Sequence, residues 1–479
     1  MNNANLFDLL RSHWAVAPDR HFLVADRDDI TTYREIDERS ATFAACLRED
    51  GIVPGERVVL QIDKSVDNVA LYLACLRTGA IVVPLNTAYT PAEVEFFVED
   101  AQPKVVIDRS NVEDWSRRAD DAEPWTRCEA RLADDLAAML YTSGTTGRSK
   151  GAMLTHGNLA SNALALHAIW RFVPGDVLLH ILPIYHVHGL FVALHTAMLN
   201  ASTVLFSERF DIDQVLEWLP EATVMMGVPT HYARLLDDHR FGEAHCENIR
   251  LFTSGSAPMT EGLHADFQQR SGHRILERYG MTETGMLTSN PYDGERVAGT
   301  VGFPLPGVQM RLVNAKGSPC TAGEVGTVQV QGPNVFAGYW KLPEKTDEAY
   351  DAEWFVTGDV GFIDEEGRLT LEGRTSDMII SGGLNVYPRE VELVIDAFDG
   401  VVESAVVGKP DADLGERVEA YVVADSVDLD GLHEHLRGQL AAFKIPKRVE
   451  LIDALPRNTM GKVQKVALRN ENGPNDPSN

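Results

Sequence analysis

The sequence predicts an α/β protein in two parts. The larger, N-terminal part is built of mostly parallel, helix-covered sheets plus a β element, and a small mobile α+β unit follows it. Three observations predict this. A chain of 479 residues exceeds the roughly 250–300 at which single cores stop growing. Short β-branched runs alternate with amphipathic helical stretches along most of it. That texture then changes twice toward the C-terminal end.

The alternation is clearest in "RVVLQI", "NVALYLACLRTG" and "AIVVPLN", followed by "EVEFFVED" and "KVVIDR". A strand–helix–strand rhythm of this kind implies parallel strands covered by helices. Between Gly317 and Gly338, valine alternation and glycine turns in "GSPCTAGEVGTVQVQGPNVFAGY" predict an antiparallel element. A break follows at "LEGRTSDMIISGG". Beyond it, "YPREVELVIDAF" reads as a helix with Pro388 at its first position, where the missing N–H costs nothing. Strand-like "ESAVVGK" and "VEAYVVAD", helical "GLHEHLRGQLAAF" and strand-like "KRVELID" complete a unit of about a hundred residues, a usual domain size. The predicted boundaries are 1–372 for the large domain, 373–377 for a hinge, 378–470 for the small domain and 471–479 for a disordered tail, "ENGPNDPSN".

Composition narrows the function. A formal charge of −28, from 43 basic and 71 acidic residues, excludes nucleic acid as a partner, because phosphate backbones bind to positive surfaces. An anionic substrate must therefore meet a local cluster of cations. The five cysteines Cys46, Cys75, Cys128, Cys246 and Cys320 form no CxxC pair, so neither a disulfide framework nor a zinc site is expected. The opening "MNNANLFDLLRSHWAVAPDR" lacks the basic-then-apolar pattern of a secretory signal, and a cytoplasmic protein is expected. Val177 to Ser207 contains no Asp, Glu, Lys or Arg, but it holds His180, His186, His188, His195 and Pro183. Imidazoles are costly in lipid, so this stretch is expected to be a buried segment lining a pocket, with no membrane partner.

One stretch stands out as chemistry. In "LYTSGTTGRSKG", residues 140–151, a buried strand gives way to the hydroxyls of Thr142, Ser143, Thr145, Thr146 and Ser149. Gly144 and Gly147 permit close backbone approach, successive N–H groups can form an anion nest, and Lys150 adds a full charge. The segment after it, "GAMLTHGNLASNALAL", is expected to lead into a helix. By composition alone a polar connecting loop is an equal reading.

The stretch matches, nearly residue for residue, the phosphate loop of the acyl-adenylate-forming superfamily of acyl-CoA synthetases, luciferases and adenylation domains. Further matches occur in the family's order: "YHVHG" at 185–189, "SGSAPM" at 254–259, "RYGMTETG" at 278–285, "VTGDVG" at 356–361, "GRTSDMIISGGLNVYPREVE" at 373–392 and "PRNTMGKVQK" at 456–465. Together they cover the chain from about residue 140 onward, and the first 130 residues fit the family's N-terminal region.

The resemblance implies ATP, Mg2+ and coenzyme A as cofactors, and two half-reactions. A carboxylate attacks the α-phosphate of ATP to give an acyl-adenylate and pyrophosphate; then a thiol takes the acyl group. It implies that the phosphate loop, Thr142 to Gly147 with Lys150, holds the departing pyrophosphate. Ser256, Ala257 and Pro258 border the adenine, with Tyr279 and Gly280 on the other side. Thr282 meets the α-phosphate, Glu283 binds the magnesium with Thr145, and a carboxylate suits that hard cation. Asp359 accepts the ribose hydroxyls, for which its two acceptor oxygens are fitted, and Arg374 is a second nucleotide contact. Lys462 is the catalytic lysine, preferred to Lys465 because it follows the motif's glycine. Such a cation acts when engaged only in the transition state. Gly382 and Gly383 line the thiol channel. The hinge position, usually Asp or Lys in the family, is here Ser376, and Asp377 shares the role. His186 is the gate beside the acyl site, where Ser256 and Met281 also lie.

A narrower resemblance concerns the acid. "MLTSNPYDGERVAGTVGFPLPG" at 286–307, with "LPIYHVHGLFVA" and "MMGVPTHYARLL", is similar to malonyl-CoA synthetases. It implies that Arg296 binds the distal carboxylate, as a second anion in an apolar pocket needs a guanidinium partner. The expectation is ligation of malonate, and of methylmalonate, to coenzyme A by a monomer or weak homodimer. The alternatives are a ligase for short or medium monocarboxylic acids and an adenylation enzyme loading a carrier protein.

Overall fold

The computed structural model describes residues 3–142, 149–381, 384–411, 414–424, 426–458 and 461–470. Three sheets organise the chain. In the first, Val105–Asp108, Arg57–Gln61, Ile81–Pro84 and Leu136–Thr142 run parallel, and Lys150–Thr155 closes the edge antiparallel to Leu136–Thr142. The second begins with His21–Asp26, Thr203–Phe206, Val177–His180, Val224–Gly227, Leu251–Ser254 and Leu276–Met281 as parallel neighbours. It continues through antiparallel strands, from Gly285–Ser289 to Gln309–Val313, and these include the expected valine-rich strand Gly326–Gln331. The fold is therefore α/β with a β element, as the sequence predicts.

The last hundred residues have a sheet of their own, Leu384–Val386, Ile379–Ser381, Gly415–Ala424 and Val401–Asp411, with Arg448–Leu451 added parallel to Gly415–Ala424. The helix Pro388–Asp396 begins on its proline. Val391 and Ile395 from it join Val406, Val418, Ala420, Leu432 and Leu436 in a separate apolar core.

One element departs from the expectation. The residues after the phosphate loop do not pass straight into a helix: Lys150–Thr155 is a strand, and the helix His156–Ile169 follows it. Met153 and Leu154 alternate in register against Met139 and Ala138, so pairing with a buried strand outweighs helical propensity. The charge-free stretch is buried, as expected. Its His188–Leu194 forms a π-helical turn whose residues are all enclosed. Among the described residues no helix is long and apolar enough to cross a membrane. The expected tail, 471–479, lies outside the described residues.

Close approach is required at Gly280, where an added Cβ would stand 2.1 Å from the carbonyl oxygen of Gly285. Gly262, in the helix Glu261–Ser271, faces open space. Gly280→Ala should therefore lower the thermal midpoint by several degrees, at an overpacking cost of about 1–3 kcal/mol. Gly262→Ala should leave the midpoint unchanged or slightly raise it, and scanning calorimetry of the two variants checks the contrast.

Candidate active site

The carboxyl ends of Val177–His180, Val224–Gly227, Leu251–Ser254 and Leu276–Met281 lie side by side. Ligands of parallel α/β sheets bind at such ends. The expected site residues that the structure describes fall into three groups.

The first group is the phosphate side. Thr142 and Lys150 are paired across the hairpin, so they flank the mouth of the expected loop. Ser143, Gly144, Thr145, Thr146 and Gly147 lie outside the described residues. The Lys150 ammonium sits 4.0 Å from the centroid of the Tyr339 ring. The Tyr339 hydroxyl donates to Glu283 Oε1 at 2.9 Å. Glu283 is 6% exposed, and its second carboxylate oxygen has no hydrogen-bond partner among the described residues. The described residues hold no cluster of three or more His, Cys, Asp or Glu that could cage a metal. One buried carboxylate with a free oxygen fits magnesium that keeps its waters and is carried in by phosphates. Thr282, the expected α-phosphate contact, is half-buried beside it.

The second group surrounds Asp359. Tyr279 donates to one of its carboxylate oxygens, and Arg374 Nε lies 3.0 Å from the other. Asp359 in turn holds Arg374 firmly protonated. Gly280 follows Tyr279, and Ser256, Ala257 and Pro258 form the turn after Leu251–Ser254, with Ser256 in the left-handed region at φ 68°.

Lys462 belongs to the small domain, and its ammonium feels the charges of this group. Crowding by protein, and then the charge of Arg374, push its ammonium below the ordinary lysine range, while Asp359 and Asp377 oppose them. Its loop meets the large domain at Thr230, whose Oγ1 lies 2.8 Å from where a Cβ on Gly461 would stand. Lys465, the other motif lysine, is pinned to Glu392 at 2.6 Å. Glu392 also accepts from the Val406 amide, so Lys465 is a strut of the small domain. Lys462 has no ion-pair partner among the described residues. Ser376 and Asp377 form a single helical turn, and Arg469 donates to the Ser376 carbonyl and pairs with Asp377, both at 3.3 Å. Gly382 and Gly383 lie outside the described residues.

The third group is the acyl side, and here the structure departs most from the sequence reading. His186 is held by burial, with Arg278 nearby, at a pKa of about 4, and His188 is likewise lowered, so both are neutral. Ser256 Oγ stands 3.4 Å from His188 Nδ1, and Met281 is half-buried against the core. The cation in this group is Arg278, which the sequence reading passed over inside "RYGMTETG". It is 3% exposed, and its Nε and Nη2 have no hydrogen-bond partner among the described residues. Burial lowers its pKa to about 9, which leaves it charged at neutral pH.

Glu277 does not neutralise Arg278, because successive strand residues face opposite ways; its carboxylate instead accepts from the Gly299 amide at 3.0 Å. Gly255 makes the space, since a Cβ there would lie 2.4 Å from Arg278 Nη1.

Arg296 is elsewhere. Its guanidinium donates to the carbonyls of Pro291, Arg274 and Tyr292 at 3.3, 2.7 and 3.1 Å. No hydrogen bond or ion pair among the described residues joins it to His186, Ser256 or Met281. Three of its five N–H donors thus go to backbone, tying its loop to the chain at Arg274, where the sequence reading expected a substrate carboxylate. A signal was available in the sequence: adjacent charges, "ER", inside an apolar strand are expensive unless used.

Two family models match the chain: "AMP-binding enzyme" over residues 10–340 and "AMP-binding enzyme C-terminal domain" over residues 390–462. The chain belongs to the AMP-binding enzyme family. Its relatives in that family include the mitochondrial malonate–CoA ligase ACSF3 of Mus musculus, 36% identical over 91% of this chain and 86% of the relative. A long-chain-fatty-acid–CoA ligase of Yersinia pestis is 31% identical over 92% of this chain and 90% of its own. Among solved structures, ATP-bound MatB from Rhodopseudomonas palustris is 47% identical, covers 98% of each chain and superposes with a TM-score of 0.92. The apo form of that protein gives 0.83.

The two lysines should separate cleanly. Lys462→Met is expected to slow acid-dependent exchange of label between pyrophosphate and ATP by about 10²–10³-fold, the scale for losing one transition-state charge contact, with ATP binding retained. Lys465→Met should instead lower the melting point of the small domain.

Proposed function

We propose that this protein ligates malonate, and with it methylmalonate, to coenzyme A through an acyl-adenylate. As a member of its family it is an AMP-forming acid–thiol ligase; the proposal concerns the acid and the residues. The observation that carries it is the buried guanidinium of Arg278, with two unpartnered nitrogens beside His186 and His188. An enclosed cation without a counter-ion is costly. A carboxylate arriving there gains a charge-assisted pair, bidentate where geometry allows. A diacid can place one carboxylate on Arg278 and present the other to ATP. A fatty acid would set methylenes against the charge, so the fatty-acid ligase among the relatives is the weaker guide. The malonate–CoA ligase name of the mouse relative agrees with this reading.

The chemistry then follows from the groups already placed. An oxygen of the near carboxylate forms a bond to the α-phosphorus of ATP, and the bond from that phosphorus to the bridging oxygen breaks, releasing pyrophosphate. Asp359 orients the ribose, Thr282 contacts the α-phosphate, and Lys150 neutralises the departing phosphates. Lys462 neutralises charge that builds between carboxylate and phosphate, where a cation engaged in the transition state accelerates the step. Magnesium, when bound at Glu283, offsets triphosphate charge. In the second half-reaction a thiol loses its proton to solvent, its sulfur bonds to the acyl carbon, and the bond from that carbon to the phosphate oxygen breaks, releasing AMP. We propose the turn at Ser376 and Asp377 as the hinge on which residues 378–470 move between the two steps.

Steady-state rates with malonate, acetate and butyrate test the assignment. Arg278→Met should lower kcat/KM for malonate by about 2–5 kcal/mol, or roughly thirty- to several-thousand-fold, and leave the poor rates with the monoacids little changed. Arg296→Ala should alter stability more than malonate kcat/KM. Equal efficiency with all three acids in the unaltered enzyme would refute the malonate reading.

A further inference from the structure

The segment from Phe336 to Trp340 binds two parts of the site to each other. Its Phe336 amide donates to the Glu283 carbonyl at 2.8 Å. Ala337 donates to the Met153 carbonyl at 2.9 Å, Met153 donates back to the Gly338 carbonyl at 3.0 Å, and Trp340 donates to the Gly151 carbonyl at 2.8 Å. Tyr339 pairs with Ala152 in the same run. The segment is thus stitched on one side to the strand that begins with Lys150, and on the other to the turn that carries Glu283.

Tyr339 projects from the middle of this staple. It is 6% exposed and packs edge-on against Phe336 at 4.8 Å. Its hydroxyl is bonded to one Glu283 oxygen, and its ring face lies under the Lys150 ammonium. A buried carboxylate could rotate about its last bond and offer either oxygen; a phenol donor fixed by the backbone leaves one oxygen engaged and one free. A cation over an aromatic face is attracted by the ring quadrupole, and that contact keeps the lysine off the carboxylate it would otherwise neutralise.

We infer that Tyr339 is a positioning residue that couples the phosphate lysine to the metal carboxylate, fixing Glu283 so that one oxygen is held for a divalent cation and keeping Lys150 apart from it until a triphosphate arrives. The inference rests on reading Glu283 as the metal carboxylate. Partners that orient a metal ligand in this way commonly carry ten- to a hundredfold in affinity.

Mn2+ binding to the full-length enzyme, followed by electron paramagnetic resonance with α,β-methylene-ATP present, reads the effect without turnover. Tyr339→Phe removes the hydroxyl and keeps the ring over which Lys150 sits. It should weaken Mn2+ binding by about tenfold or more, while calorimetric affinity for the same nucleotide in EDTA stays at the unaltered value. Unchanged Mn2+ affinity overturns the inference. So does an equal loss of metal-dependent and metal-free nucleotide binding, which is the mark of a purely structural tyrosine. Glu283→Gln distinguishes the deeper failure: if it too leaves Mn2+ binding intact, the metal assignment falls, and this inference falls with it.

Discussion

The enclosure of Arg278 without a counter-ion is the constraint around which this site is arranged. A guanidinium 3% exposed has lost most of its hydration, and two of its nitrogens have no hydrogen-bond partner among the described residues. The neighbouring groups preserve that imbalance. Glu277 is turned to the other side of the strand, and the nearby imidazoles are neutral. Gly255 leaves room that any other residue would fill. A protein that needed only stability would pair or remove such a charge. One that must hold a small dianion inside an apolar pocket has reason to keep it.

The remaining groups divide the work among parts of the chain that are close because of sheet topology. Parallel strand ends supply Ser254, Arg278 and Tyr279 to one cleft. The antiparallel extension brings Asp359 and Arg374 into register as partners on adjacent strands, so this carboxylate and its guanidinium partner are fixed relative to each other by backbone. The hairpin Leu136–Thr142 with Lys150–Thr155 carries the phosphate side, and the Phe336–Trp340 segment ties it to Glu283. Lys462 alone among the described cations of the site comes from the small domain. Its loop reaches Thr230, and its ammonium feels Asp359 and Arg374. Activation can therefore be made conditional on where that domain stands.

Much of this was legible in the residues. The alternation of strands and helices predicted the sheets because burial on both faces leaves a continuous apolar signature. Pro388 marked a helix start that the structure repeats. The motifs assembled Tyr279, Glu283, Asp359, Arg374 and Lys462 as candidates, and four of them lie within reach of Asp359 or Tyr339. Three features were not legible, each because it depends on neighbours distant in sequence. The strand at Lys150–Thr155 forms only because Leu136–Thr142 waits beside it. Tyr339 gains its position from hydrogen bonds to residues near 151–153 and 283. The contrast between Arg296 and Arg278 turns on partners: one guanidinium donates to three backbone carbonyls, and the other has two nitrogens with no hydrogen-bond partner among the described residues; the adjacent charges in "ER" hint at Arg278, but the partners themselves cannot be read from the sequence.

The most direct measurement is a crystal structure with a non-hydrolysable sulfamoyl mimic of malonyl-adenylate. The account predicts the distal carboxylate within hydrogen-bond distance of Arg278 Nε or Nη2, with Lys462 at the sulfamoyl end and Arg296 still bound to its backbone carbonyls. A distal carboxylate in solvent, or one paired with Arg296, would contradict it.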